Sequence, residues 1–204
     1  MDSTFAVDAP ALPRSSQGVP DSSPTQRQLL DAAGVNRCLD EIAEAIYERW
    51  KDEEKLALVG VYRRGVPFAE ALGARLIAKG LQIELGKIDI TQYRDDLHSF
   101  TVLPKLEGSE IDFDLDDAVV ILCDEVVYTA RTSRAALEEL LGFGRPRMVQ
   151  IAALVDRAGR ELPFTADFAG LKVDLPKEDR VRVRFAAMDG RDEVFVTAWH
   201  NKTA

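Results

Sequence analysis

The stretch AVVILCD, residues 118 to 124, constrains this chain more than any other. An unbroken apolar run of strand length that stops at an acid reads as a strand buried on both faces, as in parallel sheets covered by helices. Asp124 and Glu125 stand where it breaks, followed by Val126, Val127 and Tyr128 and by the small, hydroxyl-rich turn Thr129, Ala130, Arg131, Thr132. A helical pattern of Ala and Leu then runs to Leu141, with Thr132 as its expected N-cap. In an open α/β sheet, ligands sit outside the carboxyl ends of the strands. Amides at a helix N-terminus suit an anion, and two neighbouring carboxylates can accept hydrogen bonds from sugar hydroxyls. A phosphorylated sugar would satisfy both halves of such a site.

The rest of the chain fits the same architecture. Val35, Leu39, Ile42, Ala43, Ile46, Tyr47 and Trp50 recur at helical spacing. LALVGVY, residues 56 to 62, predicts a second buried strand, stopped by Arg63, Arg64 and Gly65. Pro67 then suits the first turn of a helix that runs to Lys79 and stops at Gly80. Further strands are expected over 82–90, 148–156, 164–168, 181–185 and 193–199, the last two joined by a turn at Asp189 and Gly190. Strands alternating with helices imply an α/β fold with a mostly parallel sheet flanked by helices, and the final pair implies a C-terminal antiparallel hairpin. Residues 91 to 112 are polar and aperiodic, too long for an inert connection, and are expected to form a functional loop.

Composition narrows the possibilities. The 46% apolar content can bury one sizeable core, but residues 1 to 27, with four prolines and no apolar pattern, are expected to be a flexible tail ahead of a domain over 28–200. The balance of 26 basic and 35 acidic residues, net -9, disfavours generic binding to polyanions. No apolar run approaches the roughly 18 residues of a membrane-spanning helix. Cys38, Cys123, His98 and His200 have no metal-ligand spacing. Cys123 reads as a small core residue, and a reducing cytoplasm is the expected location.

The segment VILCDEVVYTART, residues 120 to 132, resembles the thirteen-residue signature with which type I phosphoribosyltransferases bind phosphoribosyl pyrophosphate (PRPP). LALVGVYRRGVPFAEAL from residue 56, DITQYRDDL from 89 and LVDRAGRELP from 154 are similar, in order and spacing, to the pyrimidine operon attenuator proteins, uracil phosphoribosyltransferases that also bind RNA. The likeness runs from Asn36 to Asp192. It implies the type I phosphoribosyltransferase fold and a reaction in which uracil displaces pyrophosphate from PRPP to give UMP, through an oxocarbenium-like transition state. Asp124 and Glu125 would bind the ribose hydroxyls, and Tyr128, Thr129, Ala130, Arg131 and Thr132 would form the 5-phosphate loop. Arg63, Arg64 and Gly65 would form the pyrophosphate loop, and Tyr93 and Arg94 the catalytic loop that closes over the reacting groups. Asp156 and Arg157 would lie at the uracil site, although the two could instead pair with each other. Mg²⁺ would be carried mainly by PRPP and water rather than by protein ligands. A homo-oligomer is implied as well.

The sequence departs from that family at informative places. Ala130 stands where the signature has Gly, Arg63 where the family has Thr, and Glu125 where it has a second Asp. Asp40, Glu41 and Glu44 replace Thr, Arg and His on the first helix, while Gly159, Thr165 and Leu171 replace His, Arg and Lys. The expectation is an enzyme whose RNA-binding surface is lost, since phosphate contacts dominate nucleic-acid affinity. Three alternatives stay open: a UMP-responsive attenuator that binds leader RNA, a catalytically weak PRPP or nucleotide sensor, and an enzyme for another nucleobase.

Overall fold

A computed structural model of the chain describes residues 25–91 and 108–198. The first helix, α1 (Ala32–Trp50), starts three residues before the predicted apolar stripe because Asp31 caps it, accepting from the Gly34 amide at 2.7 Å. It is followed by β2 (Leu56–Val61), α2 (Gly65–Ala78) and β3 (Glu84–Ile88). The buried run at 118–124 becomes β4 (Val119–Val127), and α3 (Arg131–Leu140), β5 (Met148–Arg157) and β6 (Phe168–Val173) follow. These five strands form one parallel sheet in the order β3-β2-β4-β5-β6.

Alternation along the central strands divides the core. Leu56, Leu58, Val119, Ile121, Cys123 and Leu154 face α1 and α2, whereas Ala57, Val59, Val61, Val120 and Leu122 face α3 through Ala135, Ala136 and Leu140. Both faces are covered, which is why the strands read as continuous apolar runs.

The remaining strands form a separate antiparallel sheet, β1-β8-β7, from β1 (Thr25–Leu30), β7 (Arg180–Arg184) and β8 (Glu193–Ala198). The expected terminal hairpin is thus the pair β7 and β8, widened by β1, which lies against β8 with Thr25 opposite Ala198. Phe185, at the end of β7, stacks on Phe68 of α2 with ring centroids 6.4 Å apart and ties this sheet to the main body.

Three local expectations are corrected. Residues 25–27, assigned to the tail, belong to β1, whose polar sequence is ordered by pairing with a strand far along the chain. The strand expected over 164–168 begins at Phe168 instead. Phe164 and Ala166 pack onto Ile151 and Ala153, while the Asp167 carboxylate accepts from the Ile151 amide at 2.8 Å and holds the segment as a brace. The Asp189 and Gly190 turn is a single helical turn, α4 (Ala186–Asp189), ended by Gly190 at φ 76°.

Candidate active site

The strand order reverses between β2 and β4: the chain leaves β2 toward β3 on one side and β4 toward β5 and β6 on the other. The loops after these strands open side by side, which is where an open α/β sheet forms its ligand crevice. They carry Arg63 to Gly65 and residues 128–132, and β5 ends beside them with Asp156 and Arg157. The loop residues assigned from sequence that fall within the described structure therefore converge at one edge of the sheet. Tyr93 and Arg94 lie outside the described residues.

Gly65 opens α2 directly over β4. A Cβ there would stand far inside contact with the Cys123 carbonyl oxygen, so only glycine fits. The Tyr62–Arg63 peptide is cis. Arg63 is exposed, while Arg64 is half-buried and donates from Nη2 to Asp189 Oδ1 at 2.9 Å. This contact joins the first loop to α4 of the antiparallel sheet.

Asp124 is 8% exposed, and its Oδ2 has no hydrogen-bond partner among the described residues. Burial, reinforced by the charge of Glu125 and a hydrogen bond shared with it, holds the Asp124 carboxyl well above the usual carboxylate range. A ligand bringing hydroxyls to this position would supply the missing partners. Glu125 lines a cavity of about 310 Å³ with Gln26, Arg64, Arg182, Arg184 and Thr197.

In the following loop, Ala130 adopts φ 71°, ψ 12° and is 3% exposed. Helix α3 starts immediately after it, so Ala130 occupies the cap position in place of the expected Thr132 and offers no side-chain cap; the Arg131 amide makes a long bond to Thr129 Oγ1 at 3.5 Å. The left-handed conformation ends the loop two residues early, and an N-terminus with no cap from Ala130 suits an external acceptor. Residues 161 and 162 brace the loop: both amides donate to the Thr129 carbonyl, at 3.1 and 3.2 Å, and Arg131 Nε donates to Glu161 Oε2 at 2.9 Å.

Asp156 and Arg157 do not pair with each other. Asp156 pairs with Arg160, whose guanidinium also donates to the carbonyls of Val127, Tyr128, Arg157 and Phe164. Arg157 is 3% exposed, lies 4.0 Å from the centroid of the Tyr128 ring, and donates to the carbonyls of Asp179 at 2.7 Å and Pro176 at 2.5 Å. Together with Glu161, Lys177, Arg180 and Arg182 it lines a second cavity of about 320 Å³. Gly159, at φ 117°, leaves no room for a side chain, since a Cβ would lie 2.5 Å from the Tyr128 ring.

Sequence reasoning missed Arg160 and the β7 contribution of Arg182. The Asp156 and Arg160 spacing of four was a usable signal. The approach of β7 to the crevice had none, because it depends on how a separate sheet is placed.

A sheet of this order, with two loops suited to phosphates flanking a pair of acids, defines the phosphoribosyltransferase class. The sequence matches the phosphoribosyl transferase domain over residues 25–179. Among solved structures, the hypoxanthine phosphoribosyl transferase of Trypanosoma cruzi superposes with a TM-score of 0.66 at 18% identity, over 84% of this chain and 90% of that one. The HGPRT-ase of Leishmania tarentolae, in complex with GMP, gives 0.63 at 17% identity over 87% and 97%. These likenesses establish the fold. Nearer relatives define the family: the bifunctional protein PyrR of Alkaliphilus metalliredigens is 45% identical over 174 residues, 85% of this chain and 96% of that protein. The bifunctional protein PyrR of Deinococcus radiodurans is 44% identical over 167 residues, 81% and 91% of the two chains. The chain belongs to the PyrR family of type I phosphoribosyltransferases.

Proposed function

We propose that this protein transfers the phosphoribosyl group of PRPP to uracil, forming UMP and pyrophosphate. The observation that carries the reading is the orphaned Oδ2 of buried Asp124, set beside Glu125 and between two loops suited to phosphates. In this reading the carboxylates accept from the ribose hydroxyls. The amides at the start of α3 hold the 5-phosphate, and Arg63, Arg64 and Gly65 hold the pyrophosphate. The cavity between Tyr128, Arg157 and the 177–182 segment receives the base. Asp156 and Arg157 shape that cavity through their bonds to Arg160 and to the 176 and 179 carbonyls rather than by pairing together. Tyr93 and Arg94, outside the described residues, keep the catalytic role that the family resemblance implies.

Mg²⁺ would be carried by substrate oxygens and water, as suits an ion that gives up its hydration reluctantly, beside the buried, unpartnered Oδ2 of Asp124. When bound it neutralises pyrophosphate charge, with Asp124 and Glu125 nearby. Among the described residues no helix is long and apolar enough to cross a membrane. A cytoplasmic homo-oligomer is part of the same proposal. The test is calorimetric titration of PRPP and Mg²⁺ into the protein and into an Asp124→Asn, Glu125→Gln double variant. Loss of about tenfold or more in affinity is expected; unchanged affinity contradicts the ribose-binding role.

The proposal includes loss of specific leader-RNA binding. Asp40, Glu41 and Glu44 are all exposed on α1. Arg75 donates to Asp40 at 2.6 Å and to Asn36 at 2.8 Å, and Lys79 pairs with Glu44. The acids thus repel phosphates and also engage the basic residues of α2 that would otherwise face them. At position 159, the Tyr128 ring fills the place a side chain would need. Gel-shift titration with family-type leader RNA at about 0.1 M salt should show no UMP-enhanced complex at submicromolar protein; such a complex would restore the attenuator reading.

A second reading, a PRPP sensor with slow turnover, is favoured by the left-handed Ala130 in the phosphate loop. Tight PRPP binding without UMP formation would select it.

A further inference from the structure

The alternating Val and Arg pattern of β7 places three arginines, Arg180, Arg182 and Arg184, two residues apart on one side of the strand. The two cavities at the crevice have different walls but share Val181 and Arg182. One cavity holds Glu125 and Arg64, the ribose and pyrophosphate side; the other holds Tyr128, Arg157 and Asp179, the base side. Arg182 therefore stands at their junction. In a transfer that breaks the bond between ribose and pyrophosphate and forms the bond between ribose and base, that junction is where the two groups exchange.

The cations around it differ in how their donors are used. Arg64 is held by Asp189, and Arg184 pairs with Glu193 and lies 4.7 Å from the Phe195 ring. Arg157 donates from both terminal nitrogens to backbone carbonyls and lies over Tyr128, its Nε buried and out of reach of a ligand. The Arg182 side chain has no hydrogen-bond or ion-pair partner among the described residues, although it borders both cavities in a chain of net charge -9. A planar guanidinium with free donors at this place matches a group that gains negative charge as it departs.

We infer that Arg182 is a substrate-contacting residue that binds the pyrophosphate group at the junction of the two cavities and stabilises it as it leaves. The inference rests on the phosphoribosyl-transfer reading. The ribose to pyrophosphate bond breaks with its electron pair going to the pyrophosphate oxygen, the incoming base nitrogen supplies the pair for the new bond and passes its proton through water to the released pyrophosphate, and Arg182 keeps its own proton throughout.

Arg182→Gln removes the charge, Arg182→Lys keeps it without the fork, and Arg180→Gln serves as the control, because Arg180 borders only the base-side cavity. Pyrophosphate affinity is measured by titration of magnesium pyrophosphate, and kcat and KM for PRPP by steady-state kinetics. Arg182→Gln should weaken pyrophosphate binding about tenfold or more and lower kcat/KM at least as much. Arg182→Lys should recover part of both, and Arg180→Gln should change pyrophosphate binding less than about twofold. A wild-type protein that binds pyrophosphate while Arg182→Gln binds it equally well overturns this inference alone. A wild-type protein that binds neither PRPP nor pyrophosphate overturns the underlying reading with it.

Discussion

Arg64 Nη2 and Asp189 Oδ1 lie 2.9 Å apart, and through this contact the loop after β2 is tied to the helical turn between β7 and β8. The other oxygen of the same carboxylate accepts from the Phe185 amide at 3.1 Å. One side chain thus holds both a pyrophosphate-loop arginine and the end of β7. Asp189→Ala is expected to cost about 1–2 kcal/mol of stability in urea unfolding. It should also lower kcat/KM for PRPP several-fold by releasing Arg64. Asp189→Asn, which keeps both acceptor contacts through its amide oxygen only in part, should fall between.

Ala130 holds a left-handed backbone that glycine adopts without cost. Ala130→Gly gains that relief and loses some through the freer unfolded chain, leaving a net stabilisation of about 0.5–1 kcal/mol. Thermal unfolding should shift upward by roughly 1–4 °C for a domain of this size. PRPP affinity should stay level or rise; a fall in both would show that the Ala130 methyl packs usefully.

Asp124 sets a pH dependence whose sign follows from its raised pKa. In the fold the protonated form is favoured, chiefly by burial. Its contribution to stability is therefore complete below the unfolded value of about 3.9 and is lost as pH rises through the folded value. Asp124→Asn should match the wild-type ligand-free protein near pH 3.5 and become increasingly more stable than it above about pH 4. The same variant should bind PRPP more weakly, trading function for stability. Chemical denaturation from pH 3.5 to 8 checks the trend; a constant difference across that range contradicts it.

Much of the fold was legible because its signals are local. The buried strands at 56–62, 118–124 and 148–156 advertise themselves by apolar runs, and α1 by its stripe, since each carries its burial pattern in its own residues whichever element covers it. Strand β1 was hidden, because TQRQLL is polar and ordered only by pairing with β8. The start of β6 was misplaced because Phe164 and Ala166 look like strand residues but serve as packing under β5. At the site, the acids and loops could be read where strands break. The partners of those residues could not. The spacing of four between Asp156 and Arg160 hints at their pairing, but nothing in the sequence says that Arg64 reaches Asp189 from a distant sheet or that Tyr128 fills the space beside Gly159. The first depends on how the two sheets are assembled, the second on how the segments after β4 and β5 meet.

The central claim is phosphoribosyl transfer to uracil. Incubation of the full chain with uracil, PRPP and Mg²⁺, with UMP and pyrophosphate quantified over time, tests it most directly. The account predicts equimolar UMP and pyrophosphate, formed at a rate that falls about tenfold or more in Asp124→Asn. PRPP bound by calorimetry with no UMP formed, or UMP formed equally well by the Asp124 variant, would contradict it.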